Sequence, residues 1–539
     1  MQRLSIFFLF SMFFLQAFCA TDSLSVVVAE EEYNAGYAAF KSEDYKKAVK
    51  LWKKAADKGN PNAQCNLGAC YSKGLGVSKS DKKAFKWFKE SALQGNDVAQ
   101  CNVGLCYMNG NGVKQNLFTA VEWFIQSANQ GNLIALTKLG DCYKEGDGIE
   151  TDYREAVNCY ADAACGGYAV AQNELADCFY SGIGVEQNLT EAFYWYGQAA
   201  AQGYVPSMRS IAICYENGEG TVQDKSKAVE FYIKAAGAGD VESQYYLADC
   251  YYTGSGVEQD YRMAFQWYTK AAKQEHSDAL YMLAGCYYAG TGTKQNYKAA
   301  ALYYGKAAKL GNLDAICQLA GCYYFGDGVY PDIDKSVELY DMAAEQGHAE
   351  SQYYLAECYY NGYGVDQSYS IALAYYTLAA EQEYPAALNA VGWYTLHGLE
   401  VEQDSCTAVN LFTAAADMGH DEAQFNLGSC YYSGVCVEQD YLTAARWFIR
   451  AGEQGNVTAQ HNLGVMYYKG QGVDRNYEES VKWYTKAANA DYALAQYDLG
   501  VCYYYGMGVD VDKKEAVKWW KLAAEQGCEE AIKALKEMN

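Results

Sequence analysis

One block of 36 residues recurs thirteen times in this chain without an inserted or deleted residue. With Ala63 as position 1, the equivalent residues run through Ala99, Ala135, Ala171, Ser207 and onward to Ala495, and every one is Ala or Ser. A period of this length belongs to arrays of helical hairpins, whose members cannot bury their apolar faces alone and must stack on their neighbours. Stacking also removes the size limit on a single core, which otherwise stops growing near about 250–300 residues. The expectation for a 539-residue chain is therefore one continuous array. Such an array offers an extended binding surface rather than an enclosed catalytic pocket.

Within each repeat, apolar residues at positions 1, 5, 8, 9 and 12 have helical spacing, which predicts a helix A over positions 1–11. Position 5 is aliphatic throughout (Leu67, Val103, Leu139), and position 6 is Gly or Ala, which predicts a close helix–helix approach. Gly at position 12 and usually at 14, followed by Val, ends helix A in a turn that needs positive φ. Position 18 is always Ser, Asn or Asp (Ser80, Asn116, Asp152 through Asp512), the residues that cap a helix N-terminus. A helix B over positions 19–32 follows, with an aromatic at 26, small residues at 29 and 30, and usually a closing Gly at 33. The four prolines (Pro61, Pro206, Pro331, Pro385) are placed in the turns.

The string L-[GA]-x-C-Y-x-x-G-x-G-V…D-x-x-x-A-x-x-W-Y-x-x-A-A-x-x-G resembles the Sel-1-like repeat, a relative of the tetratricopeptide repeat. The match covers residues 63–530, and residues 531–539 continue it as a C-terminal capping helix. Residues 21–62 are more similar to a tetratricopeptide unit and are expected to supply N-terminal capping helices. The resemblance implies an all-α, right-handed α-solenoid of antiparallel helix hairpins that scaffolds protein complexes, with no catalysis, cofactor or metal. The family's cysteine-rich bacterial branch staples each hairpin with two cysteines; the second is absent here, so those staples are not expected.

Residues 1–20 read as a signal peptide. Arg3 precedes an apolar run from Leu4 to Phe18, and the small residues Ala17, Cys19 and Ala20 follow. Cleavage after Cys19 or Ala20 would leave a soluble exported chain with no membrane span, in a periplasm, a secretory lumen or the extracellular space. A net charge of −24 argues against nucleic acid as partner, because a basic footprint is missing.

Eleven of the 20 cysteines stand at position 8, one per repeat. Adjacent repeats about 10 Å apart exceed the roughly 7 Å Cα separation that a disulfide spans, so these are read as buried free thiols. Cys65, Cys101, Cys317, Cys159, Cys165, Cys406, Cys436 and Cys528 are irregular, and sporadic pairing among them stays open. Three of the five histidines (His276, His348, His420) share position 34 and are read as turn residues. Ser80-x-x-Lys83 matches one β-lactamase motif by letters, but the companion motifs are missing. Of two N-glycosylation sequons, Asn188 doubles as an N-cap, whereas Asn456 lies in a turn and is the better acceptor.

Positions 3, 7 and 10 of helix A lie on one stripe, i, i+4 and i+7, which the resemblance places on the concave face. The candidate partner-binding residues there are Tyr245, Asp249, Tyr252, Tyr281, Tyr288, Tyr324, Tyr353, Glu357, Tyr360 and Trp393, with Asp177 a further acid at position 7. Tyrosine gives large rigid contact area at low entropic cost, and the acids suit a protein or peptide ligand with basic character. A glycan or cell-wall polymer stacked on the same rings is the alternative; the other reading makes these rings internal packing. The repeat from Ala387 to Glu422 is irregular, with Trp393, Tyr394 and Thr395 at positions 7–9 and Glu400 where a loop glycine belongs; the next repeat has Cys436 there. It is the expected weak link.

Overall fold

The computed structural model describes residues 27–538, and no strand occurs among them; the stretch 1–20, read from the sequence as a signal peptide, lies outside the described residues. The chain divides into two compact units, one ending at Gln274 and the other starting at Glu275. Each is a run of antiparallel helical hairpins in sequence order. No helix among the described residues is long and apolar enough to cross a membrane.

The first full repeat shows how the sequence dictates the hairpin. Helix A is Pro61–Lys73 and helix B is Asp81–Ala92. Gly74 ends helix A in the left-handed region at φ +75°, donating its N–H to the Cys70 carbonyl. The Ser80 hydroxyl accepts from Lys83 N at the start of helix B, and the position-18 residue caps helix B in the same way in all thirteen repeats. Such a cap is worth about 1 kcal/mol.

Helix A begins two residues earlier than its apolar pattern predicts, because position 34 of the preceding block is its N-cap. Asn60, Asn96, Asp240, His276 and His420 accept there from the backbone N–H of position 1. Three of the prolines assigned to turns, Pro61, Pro206 and Pro385, consequently sit in the first turn of a helix A, where the missing N–H has no intrahelical partner anyway.

Position 6 is small because the position-26 ring lies flat against it. A Cβ added to Gly428 would stand 2.8 Å from the Phe448 ring, and position 26 is a deeply buried aromatic, with Phe124, Tyr160, Tyr232 and Phe412 at 0% exposure. Where position 2 is glutamine, a glutamine contact joins one hairpin to the next. Gln64 Nε2 donates to the Ala56 carbonyl, and Gln94 Nε2 donates to Gln64 Oε1. The same double contact recurs at Gln352 with Gln382, Gln424 with Gln454, and Gln496 with Gln526.

The position-14 glycines lie against the start of the previous helix B; a Cβ on Gly472 would collide with the Tyr441 carbonyl. Glu400 and Cys436 carry side chains at that position and hold φ +58° and +54°, a region that costs a non-glycine residue on the order of 1 kcal/mol. Cys436 forms a disulfide with Cys406, Cα–Cα 5.2 Å, in the first turn of the helix Ser405–Asp417. Two of the irregular cysteines thus pair, and the bond fastens the loop to the previous helix B where the glycine contact is lost.

Candidate functional site

The position-7 carboxylates on the stripe are held by the hairpin itself. Tyr160 donates its hydroxyl to Asp141 at 2.9 Å; Tyr196 likewise pairs with Asp177, Tyr268 with Asp249 and Tyr376 with Glu357. Burial raises the Asp177 carboxyl despite this hydrogen bond and the one from Asn173. The pairing is visible in the sequence: an acid occupies position 7 only in repeats with Tyr at position 26, never in those with Phe or Trp.

Several stripe tyrosines also have internal work. Tyr288 at position 10 donates to Asp327 in the loop of the next repeat at 2.7 Å, as Tyr180 does to Glu219 and Tyr432 to Gln471. Tyr324 meets the ring of Tyr363 at 6.0 Å in the equivalent place. Tyr281 packs on Tyr304 at 5.8 Å, and burial raises its phenol. In the first compact unit, Tyr245 and Tyr252 lie 6.1 and 6.4 Å from Tyr268, the partner of Asp249. Tyr245, Tyr252 and Tyr281 thus pack between helices.

The second compact unit brings several of the predicted residues, Tyr288 and Tyr324 among them, together around two open cavities. One, about 380 Å³, is lined by Tyr288, Tyr324, Tyr353 and Glu357. The other, about 460 Å³, is lined by Tyr353, Glu357, Tyr360 and Trp393. Tyr353 and Glu357 border both, so the cavities adjoin along helices A Ala349–Asn361 and Pro385–His397. Glu422 and His420 add to the second, and among the described residues no lysine or arginine lines either. Trp393 is 37% exposed and lies 4.5 Å from the His397 ring.

The first cavity exists because of two small residues. In the repeat beginning at Ala315, position 3 is Cys317 and position 7 is Gly321, a combination that no other repeat with Tyr at position 26 shares. The Tyr340 ring behind them is 5% exposed. Its hydroxyl faces the bare Gly321, 3.7 Å from where a Cβ would be, and lacks the carboxylate that the hydroxyls of Tyr160, Tyr196, Tyr232, Tyr268 and Tyr376 find. Sequence reasoning listed the large residues of the stripe and passed over this gap in it.

The remaining candidate chemistry is structural. All eleven position-8 cysteines are free and buried, and burial pushes Cys70 up to about 11 and Cys142 up to about 12. One group among the described residues has metal-ligand proximity, Asp314 with His348 and Glu350. There His348 Nδ1 accepts from Ser351 N as an N-cap, while Nε2 lies 3.1 Å from Asp314. This repeats the contact that Asn312 makes with Asp278, so it is a link between hairpins. Ser80 is engaged as a cap. Asn456, read as lying in a turn, is also an N-cap, and its Oδ1 accepts from Ala459 N at 2.9 Å.

Buried aromatic wedges, capped hairpins and a recurring glutamine contact define a helical-repeat solenoid, the class of architecture that serves protein interaction. Its family is the Sel1 repeat: the family model matches fourteen consecutive segments, from 29–60 and 61–96 through 493–528, and the chain belongs to that family. The first segment, at 29–60, falls in the stretch that the sequence reading compares to a tetratricopeptide unit.

Among solved structures, the chain is similar to c5321, a protective antigen of uropathogenic Escherichia coli strains with an SLR fold. They share 32% identity over 84% of this chain and 97% of that one, with a TM-score of 0.68. A Sel1 repeat protein from Oxalobacter formigenes shares 31% identity over 56% of this chain and 88% of that one, with a TM-score of 0.44. No curated protein matches the sequence.

Proposed function

We propose that the protein is an exported, non-enzymatic scaffold that holds an extended, basic segment of a partner protein along helix A of the second compact unit. The observation that carries this reading is the pair of adjoining cavities. Tyrosine and tryptophan wall them, Glu357 and Glu422 supply negative charge, and no cationic residue lines them. Aromatic side chains give rigid contact area, and the carboxylates select for positive charge. The leader at residues 1–20 supports export, and the similar c5321 is an antigen; N-terminal sequencing of the mature protein should begin at Ala20 or Thr21.

Fluorescence anisotropy with labelled Lys-containing and neutral peptides tests the proposal. Basic peptides should bind, more weakly as salt rises, and both Glu357→Gln and Trp393→Ala should weaken them. Retention of neutral oligosaccharides with no peptide binding would favour the glycan alternative, since sugar rings also stack on tyrosine.

A further inference from the structure

The notch at Gly321 has an internal reference in the other repeats with Tyr at position 26; glycine stands at position 7 there once more, as Gly285, but in that repeat Tyr281 at position 3 packs on the Tyr304 ring. Where position 26 is Tyr, position 7 can supply an acid to the hydroxyl, as Asp141 does for Tyr160. It can also fill the space with an aliphatic side chain, as Val465 stands in the repeat of Tyr484. The repeat of Tyr340 does neither, and Cys317 removes the bulk that position 3 would otherwise contribute. The result is the cavity of about 380 Å³, with a deeply buried tyrosine presenting a hydroxyl at its floor. Tyr376 fixes one oxygen of Glu357, while Oε2 has Asn361 Nδ2 at 3.4 Å.

We infer that this notch is a specificity pocket for a lysine side chain of the bound segment. The inference rests on the peptide-binding reading above and names the residue that the groove selects. An alkyl stem would lie against Tyr324 and Tyr353, which both line the cavity and would shield it from water. A primary ammonium has three donors and no acceptor, and the lining residues Glu357, Tyr340 and Gln318 carry oxygens that can accept them. The tyrosine faces add cation–π attraction. An acidic side chain would meet Glu357 unpaired. A neutral apolar one would bury that carboxylate with no counter-charge.

The test uses the mature full-length chain and Nα-acetyl-lysine methylamide as probe, titrated by saturation-transfer NMR. A ligand this small should bind with Kd on the order of 1 mM, and the norleucine analogue should bind at least about fivefold more weakly. Gly321→Leu plugs the notch without changing charge, and position 7 already holds Leu105, Ile213 and Val465 elsewhere. It should weaken lysine by about tenfold or more. Tyr340→Phe should weaken it by severalfold, and Phe88, Phe124, Phe412 and Phe448 show that the fold takes Phe there. Equal binding of the norleucine analogue, or lysine binding within about twofold in Gly321→Leu, overturns the inference. Binding of cellotriose lost in Gly321→Leu would make the notch a sugar site instead. If lysine methylamide fails to bind while basic peptides bind wild type and Gly321→Leu alike, the pocket is wrong and the groove stands. If neither binds, both fall.

Discussion

Gln460 lies at a glutamine contact without its partner. Its Nε2 donates to the Gly452 carbonyl at 2.8 Å, but position 32 of its repeat is Ala490 rather than Gln. Gln460 Oε1 is accordingly a buried acceptor with no hydrogen bond. Ala490→Gln should restore the bond that Gln526 gives Gln496 at 2.9 Å. The backbone permits it, since Ala490 has φ −92° and Gln526 has φ −87°. A buried unsatisfied acceptor costs about 1–3 kcal/mol. Ordering a glutamine side chain returns as much as about 1.5–2 kcal/mol of that, and less where its stem stays exposed. The expected net stabilisation is about 0.5–1 kcal/mol.

Arrays of repeats do not unfold as one two-state transition, so the suitable readout is local amide exchange in the helix Val457–Lys469. It should slow by about two- to fivefold. The reverse control is Gln526→Ala, which strips the acceptor of Gln496 and should speed exchange in the helix Ala493–Tyr505. Unchanged or faster exchange in Ala490→Gln, with Gln526→Ala harmless, would show that the contact contributes nothing.

Two further outcomes follow from buried groups. The position-8 thiols are raised by burial, Cys70 to about 11 and Cys142, Cys214 and Cys250 to about 12, and Tyr160, Tyr196 and Tyr376 are raised in the same direction. The unfolded chain therefore loses protons first. Stability is fully present below about pH 8.5, the thiol's unfolded value, and falls as pH rises through the folded values. Urea midpoints by circular dichroism should drop sharply between pH 8 and pH 11, and a flat profile would contradict the burial. Separately, the weak repeat from Ala387 to Glu422 is fastened by Cys406–Cys436. Its exchange protection at 387–440 should match its neighbours when oxidised and drop selectively on mild reduction; an equal response along the whole chain would refute the clamp.

Much of the hairpin was legible because its signals are local. The position-18 caps act on an N–H two or three residues on, and the position-12 glycines close a turn on a carbonyl four residues back. The start of helix A was not legible, because its cap position mixes Asn, Asp and His with tyrosines such as Tyr168 and Tyr204 that make no side-chain cap bond. Contacts between distant positions were harder still. The Tyr376–Glu357 bond spans 19 residues, the Gln64–Gln94 bond 30 and the Tyr288–Asp327 bond 39. Comparison of repeats within the chain would have revealed the first two, since acid with tyrosine and glutamine with glutamine recur together. The gap at Gly321 was hidden for a different reason: it is defined by side chains that are missing from a stripe read for the ones it has.

The central claim is that the helix A stripe of the second compact unit receives a basic segment, and amide-exchange footprinting with a saturating lysine-containing peptide tests it most directly. The account predicts added protection confined to the helices Leu313–Phe325, Ala349–Asn361 and Pro385–His397, abolished for the middle helix by Glu357→Gln. Protection on the helix B segments instead, or none at all under saturating peptide, would contradict it.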